Sequence, residues 1–299
     1  MTNGVGVFRR LFCAFGNLFL KKGVWYTIKP KEVTRPMKIA DAHTHIFPDK
    51  IAVKASDAIG KFYDIPMFKP AQADLLVQAE AEIGARRCLV CSSATVPEQV
   101  ESINTFIAES CKQHPEFVGL AAMHPDYANV GEELDRAMAL GLRGVKFHPD
   151  FQKFDIDDPR AIPMYRAIAK RGLPVLFHTG DDRYDYSSPL RVDALLRQVP
   201  DLTVIGAHFG GYRRWEDVET LPRRDNVYFD TSSSLMFIDR ERALRLFDKF
   251  GVDRFMFGSD FPMWRPKEEL ERFMALGLSD ADNEQILHGT FERLFGSFD

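Results

Sequence analysis

The chain is short of cysteine, of long apolar runs and of net charge. Four cysteines in 299 residues (Cys13, Cys88, Cys91, Cys111) are too few for a disulfide scaffold. They suit a reducing compartment, and a cytoplasmic location is expected. No run reaches 18 apolar residues, so no membrane-spanning helix is predicted. A net charge of −4 gives no electrostatic reason to expect a nucleic-acid partner. With 20 Gly and 17 Pro, a collagen-like or low-complexity chain is excluded. What is present is ordinary globular composition: 45% hydrophobic residues, enough to bury a large core.

The charge is unevenly placed. Residues 1–36 carry seven basic side chains (Arg9, Arg10, Lys21, Lys22, Lys29, Lys31, Arg35) against Glu32 alone, a net of +6, so the remainder carries −10. The apolar stretch at 7–20 is broken by Gly16 and Asn17 and is followed by no small-x-small cleavage site, which argues against a signal peptide. Residues 1–36 therefore read as a basic N-terminal extension outside the native fold, with a membrane-resting amphipathic segment as the alternative. Met37 opens the first convincing strand, and residues 37–299 read as one domain.

From Met37 onward a β-branched or aromatic run, a polar loop and a helical stretch recur. Candidate strands are Lys38–Ala42, Arg87–Cys91, Phe117–Met123, Gly144–Phe147, Pro174–Phe177, Thr203–Ala207, Val227–Asp230 and Phe255–Gly258. Their spacing is about 30 residues except for the first interval, which leaves room for an insertion around Phe62–Pro70. Helical periodicity is clear over Gly131–Leu140, Pro163–Arg171 and Pro189–Val199, the last with Ser187 and Ser188 as N-cap candidates. Eight evenly spaced βα units predict an α/β fold closed as a (β/α)8 barrel. A doubly wound open sheet is the rival, but no GxGxxG follows an early strand.

Six of the eight histidines (His43, His45, His124, His148, His178, His208) fall in or just after a predicted strand, and only His114 and His288 do not. In a barrel those strand ends share one face, where active sites are built. A lone histidine there is usually structural; six together point to a site. His43 and His45 are two apart and so share a strand face. His178 ends strand five, His208 ends strand six and Asp260 ends strand eight. Nitrogen donors with one carboxylate suit zinc or a similar divalent ion with a position left open. Such an ion lowers the pKa of water towards ~7 and polarises a carbonyl, while a neighbouring carboxylate holds the proton.

The segments ADAHTHIFP, LFHTG, AHFGG and GSDFP, in that order from Lys38 to the C-terminus, resemble the amidohydrolase superfamily. They are most similar to its branch typified by aminocarboxymuconate-semialdehyde decarboxylase and related lactonases and hydratases. The resemblance implies a distorted TIM barrel of metallo-dependent hydrolase type, with His43, His45, His178 and Asp260 holding one metal. It also implies that Asp260 accepts a proton from water, and that His208 acts as an acid–base or substrate-orienting group. The implied cofactor is one divalent ion, zinc first and manganese second. The GVKFHP segment resembles the KxYP of dihydroorotases, where the lysine is carboxylated and bridges two metals. If that carries over, Lys146 and His208 join a second metal site; otherwise Lys146 is a substrate-anion partner or a salt bridge. His148 shares its face.

His124 is balanced between pocket and structural roles. Arg213 or Arg214 is a candidate for a substrate carboxylate, against the default of a solvated basic loop. Ser232–Ser234 offer pocket hydroxyls, against turn capping. Cys88 and Cys91 face opposite sides of one strand and are not expected to form a redox pair. The expected activity is metal-dependent hydrolysis of a small-molecule ester, lactone or amide. The alternative is a metal-dependent non-oxidative decarboxylase or hydratase, a lyase acting on an unsaturated or aromatic carboxylic acid. A homo-oligomer is left open.

Overall fold

The computed structural model describes residues 18–21, 24–27 and 37–297. The chain divides into two units, Met1–Met37 and Lys38–Asp299. In the first, β1 (Leu18–Lys21) and β2 (Val24–Thr27) pair antiparallel, Leu18 opposite Thr27. The rest of the basic segment, including Arg9, Arg10 and the apolar stretch at 7–17, lies outside the described residues.

In the second unit the strands are β3 (Ala40–His45), β4 (Arg87–Cys91), β5 (Phe117–Gly119), β6 (Ala121–Ala122), β7 (Val145–Phe147), β8 (Val175–Phe177), β9 (Val204–Gly206), β10 (Val227–Asp230) and β11 (Phe255–Met256). All pair in parallel, in the orders β3-β4-β5 and β6-β7-β8-β9-β10-β11. β5 and β6 are halves of one strand. Leu120 N–H bonds to Val90 O and Ala121 N–H to Gly144 O, which carries the ladder from β4 to β7. The other edges meet where Ala42 N–H donates to Phe257 O and His45 N–H to Phe261 O, each 2.8 Å. The architecture is a (β/α)8 barrel, with all eight expected strands in place.

Differences from expectation are local. The first strand runs to His45, so both of its histidines lie inside it. The last is shorter, because Phe257 N–H turns to Ile286 O. Helices form at Val130–Ala139, Ile162–Lys170 and Pro189–Gln198, each within a residue of its expected span. Ser188 precedes the last of these but makes no capping bond. Ser187 is drawn instead to Asp150, donating to Oδ2 at 2.6 Å. The long first interval holds helices Asp49–Tyr63 and Ala73–Ala81. No helix of the described residues is long and apolar enough to cross a membrane.

The period-2 alternation of a strand sorts residues to two cores. Cys88, Val145, Val175, Phe177, Val204 and Phe229 face outward, under the helices. Ala40, Ala42, Leu89, Cys91, Leu120, Leu176, Ile205, Tyr228 and Met256 fill the barrel, plugged by Phe291. Cys88 and Cys91 thus occupy different cores, as expected for i and i+3. Between Val145 and Phe147, Lys146 belongs by register to the inner set and is fully buried. An inner layer of aliphatic groups that admits one lysine does so at a desolvation cost, which marks the level at which the barrel becomes polar.

Candidate active site

Two residues beyond inward-facing Leu176, Tyr228 and Met256 come His178, Asp230 and Gly258 at the mouth, and His148 stands two beyond Lys146. A register shift between Asp41 and Thr44 bends β3, yet the His43 and His45 rings stay adjacent, 5.0 Å between centroids. Gly258 is required where it is. A Cβ there would lie 3.1 Å from that of His43 and 3.3 Å from that of Ser232.

Three donor atoms converge. Asp260 Oδ1 lies 3.2 Å from His45 Nε2 and 3.7 Å from His43 Nε2. Among the described residues, His43, His45 and Asp260 form one group whose donors all lie within 4.8 Å of one another, and His43, His208 and Asp230 form another. A divalent ion fits the first group, since imidazole nitrogens and a carboxylate, all buried or nearly so, are an ordinary donor set for one.

The roles within the two groups differ. Asp230 Oδ2 accepts from His43 Nδ1 at 2.9 Å, while its Oδ1 accepts from His208 N–H and Ser232 N–H, each 3.0 Å. A carboxylate behind Nδ1 fixes the tautomer that turns the lone pair of Nε2 towards the cavity. Asp41 plays a matching backbone part. Its Oδ1 accepts from His43 N–H and from Ser259 N–H, each 3.0 Å, tying the segments that carry His43 and Asp260.

His178 stands one ring further away. Its Nδ1 is 3.0 Å from His208 Nε2, and its Nε2 faces Tyr63 OH at 3.4 Å and Asp150 Oδ2 at 3.7 Å. It belongs to neither three-donor group. His148 stacks on it, 4.1 Å between centroids, and places Nε2 3.0 Å from Tyr63 OH. Lys146 Nζ is 3.1 Å from His43 Nε2. Ser232 Oγ reaches His208 Nδ1 at 2.9 Å and His43 Nδ1 at 3.0 Å, and Ser233 Oγ donates to Asp260 Oδ2.

His208, Ser233 and Asp260 all have φ near +60° or slightly below, the left-handed region. Non-glycine residues held there cost on the order of 1–3 kcal/mol each and cluster at functional sites. Here the turns aim three side chains into one space.

The remaining candidates lie elsewhere. His124 does not line the cavity; its Nδ1 accepts from Asp126 N–H at 3.2 Å. Arg214 pairs with Asp185 and Asp217, and Arg213 lies over the Phe237 ring, 3.6 Å from its centroid. Sequence reading missed Asp230, Asp150, Asp41 and Tyr63. Asp230 had a signal, since FDTSSS ends strand seven on the face of the other candidate site residues. Tyr63 had none, because its helix fills an irregular insertion.

Electrostatics divide the site. Burial, reinforced by neighbouring positive groups, lowers the pKa values of His43, His148 and His178 well below the usual imidazole value, and burial lowers that of His208. Burial opposes charge on Asp260, but His43, His45 and His208 outweigh it and keep the carboxylate ionised. His45 goes the other way. Burial disfavours its cation, yet the Cys91 sulfur and Asp260 hold its pKa up at about 9.

Beneath the ligands, Asp41 and Glu80 form a buried carboxyl pair. Burial raises both pKa values, and the two side chains hydrogen-bond to each other. Asp41 Oδ2 and both Glu80 oxygens find no donor other than a proton kept by the pair. The folded state therefore holds a proton that the unfolded chain loses above about pH 4.5, so stability falls as pH rises beyond that value. Glu80→Gln, which brings its own donor, is expected to gain on the parent between about pH 5 and pH 8. Thermal melts of both proteins across that range check this, and a stability difference independent of pH contradicts it.

The family model described as Amidohydrolase matches residues 40–297 of the chain. A TIM-barrel protein of Bordetella bronchiseptica is similar at 23% identity and TM-score 0.70, over 86% of this chain and 98% of that one. A Pseudomonas putida protein assigned as a 2-pyrone-4,6-dicarboxylic acid hydrolase is similar at 19% identity and TM-score 0.65, over 88% and 98%. A dihydroxybenzoic acid decarboxylase of a Polaromonas species, with bound manganese and an inhibitor, is similar at 17% identity and TM-score 0.66, over 87% and 97%. No curated protein matches the sequence.

Proposed function

The chain belongs to the amidohydrolase family, and from that premise we propose that it is a metal-dependent hydrolase of a small-molecule ester, lactone or amide. The observation that carries this reading is the convergence of His43, His45 and Asp260 at the C-terminal ends of β3 and β11, with His208 beside them. His43, His45 and Asp260 would hold the ion, His45 giving up its proton on binding, with His178 as the fourth ligand after a side-chain turn. Zinc is proposed for this nitrogen-rich set, manganese being the second choice. When bound, the ion supplies Lewis acidity, polarising the substrate carbonyl and acidifying water.

The protein's own groups supply the rest. Asp260 is ionised and takes the proton of the attacking water at Oδ1, then returns it to the leaving group. Ser233 Oγ holds the other carboxylate oxygen and fixes its direction. Asp230 and Ser232 lock the His43 and His208 rings from behind. His208, neutral near pH 7, offers Nε2 to substrate. Lys146 places Nζ on the floor, 3.1 Å from His43 Nε2, as a donor for the substrate oxygen on which negative charge develops.

That same lysine supports a second reading, in which it and the ion grip the carboxylate of an aromatic or unsaturated acid that is then decarboxylated. Assays for ester, lactone and amide cleavage, and for carbon dioxide release, with and without chelator, separate the two. Hydrolysis abolished by chelator and restored by metal is expected, and activity indifferent to metal removal sinks both.

A further inference from the structure

The cavity above the ligands has a volume of about 630 Å³, enough for a drug-sized molecule. Its floor is polar, formed by His43, His45, His178, His208, Asp260 and Lys146. Its walls are another matter. Helix Asp49–Tyr63 turns Ile51, Ala55, Ala58, Ile59 and Phe62 towards the space, while Lys50 and Lys54 stay exposed. Met67, Ile103, Phe106 and Met263 add further apolar lining. Ile51 is 49% exposed although it lines the cavity, so the apolar wall continues to the mouth.

Among the described residues no arginine lines this space, and its lysines are Lys146 on the floor and Lys153, which is exposed. The neighbouring arginines are committed elsewhere. Arg183 pairs with Asp181 and lies over the Phe62 ring, and Arg213 and Arg214 are held as described. An adjoining surface depression, which shares Ser102 and Phe106 with the cavity, carries Glu98, Glu101 and Glu109. A carboxylate on the remote part of a substrate would find apolar walls and an acidic rim, and set against those walls, away from Lys153, it would be desolvated without a partner.

We propose that the substrate is an ester or lactone whose body, away from the reacting carbonyl, is uncharged and apolar, an aryl or alkyl group and not a second carboxylate. This rests on the hydrolase reading and specifies its substrate class. Hydroxyl and amide groups at Ser92, Ser93, Thr95, Gln99 and Ser102 also line the cavity and leave room for neutral polar substituents.

The test pairs matched esters and lactones that end in a methyl group or in a carboxylate. The neutral member is expected to be cleaved with kcat/KM at least about tenfold higher, and Ile59→Arg to reverse that order. Equal or better cleavage of the carboxylated members by the parent protein overturns the proposal and leaves the hydrolase reading standing. Binding without turnover gives an independent readout, by fluorescence of neutral N-phenylnaphthylamine and of its anionic analogue anilinonaphthalene sulfonate. Tighter binding of the neutral dye, weakened by Ile59→Arg, supports the uncharged, apolar character of the substrate body even if no tested ester is cleaved, an outcome that would overturn the hydrolase reading and with it the ester or lactone assignment. Preference for the anionic dye overturns the proposal.

Discussion

Asp260→Asn is expected to lower turnover by roughly a hundredfold to ten-thousandfold, the range for losing a positioned acid–base group. The carboxylate sits 3.2 Å from His45 Nε2 and 3.7 Å from His43 Nε2, so it is the one anion of the donor cluster proposed to hold the ion. Asparagine keeps the size and the contact with Ser233, but it can neither accept a proton nor compensate an ion's charge. Stability of the metal-free protein should fall, because neutral asparagine leaves buried His45 without the anion that holds its pKa up, even though the left-handed backbone at this position tolerates asparagine. A variant that folds, melts near the parent temperature and retains more than a tenth of the activity would show that the proton passes through another group, His208 being next in line.

Asp230→Ala carries the second large effect. It touches nothing in the cavity, yet it ties His43 Nδ1, the N–H groups of His208 and Ser232, and the Ser232 hydroxyl. Removing carboxylates that orient metal-binding histidines typically costs 10–100-fold in metal affinity or activity. Two buried backbone donors also lose their acceptor, at about 1–3 kcal/mol each where water cannot enter. Metal titration by calorimetry, run beside denaturant unfolding, separates the two consequences. Asp230→Asn is the companion: it retains a carbonyl acceptor, so it should recover much of the stability but less of the metal affinity. Unchanged metal affinity in both variants would reduce Asp230 to a structural role.

Periodicity made the barrel legible in the sequence. Eight β-rich runs about 30 residues apart pointed to it, and position at strand ends put His43, His45, His124, His148, His178, His208 and Asp260 at a common mouth, which His124 alone of these does not line. The shape of the site was less direct. Asp230 reads in the sequence as one more inner-facing strand residue, and only the fold shows that its two oxygens join β3 to the turn after β9. The position of His178 depends on how its ring turns, a two-torsion choice made among His208, Tyr63 and Asp150 that no spacing encodes. Tyr63, Ile59 and Phe62 come from a helix in the long first interval, where insertion length was visible and its use as a cavity wall was not. Ser187 stands one residue before the N-cap position, which Ser188 occupies, and its hydroxyl donates to Asp150, remote in sequence.

The most direct test of the metal-centred account is metal content per chain on protein purified without chelator, measured by plasma mass spectrometry and repeated after chelation and reconstitution. The account predicts about one equivalent of zinc or manganese, lost with activity and regained with it, and strongly reduced in His43→Ala. Near two equivalents would bring a carboxylated Lys146 into the site and shift the chemistry towards amide hydrolysis. A chain that binds no divalent ion, before or after reconstitution, would contradict the account, and the convergence of His43, His45 and Asp260 would need another explanation.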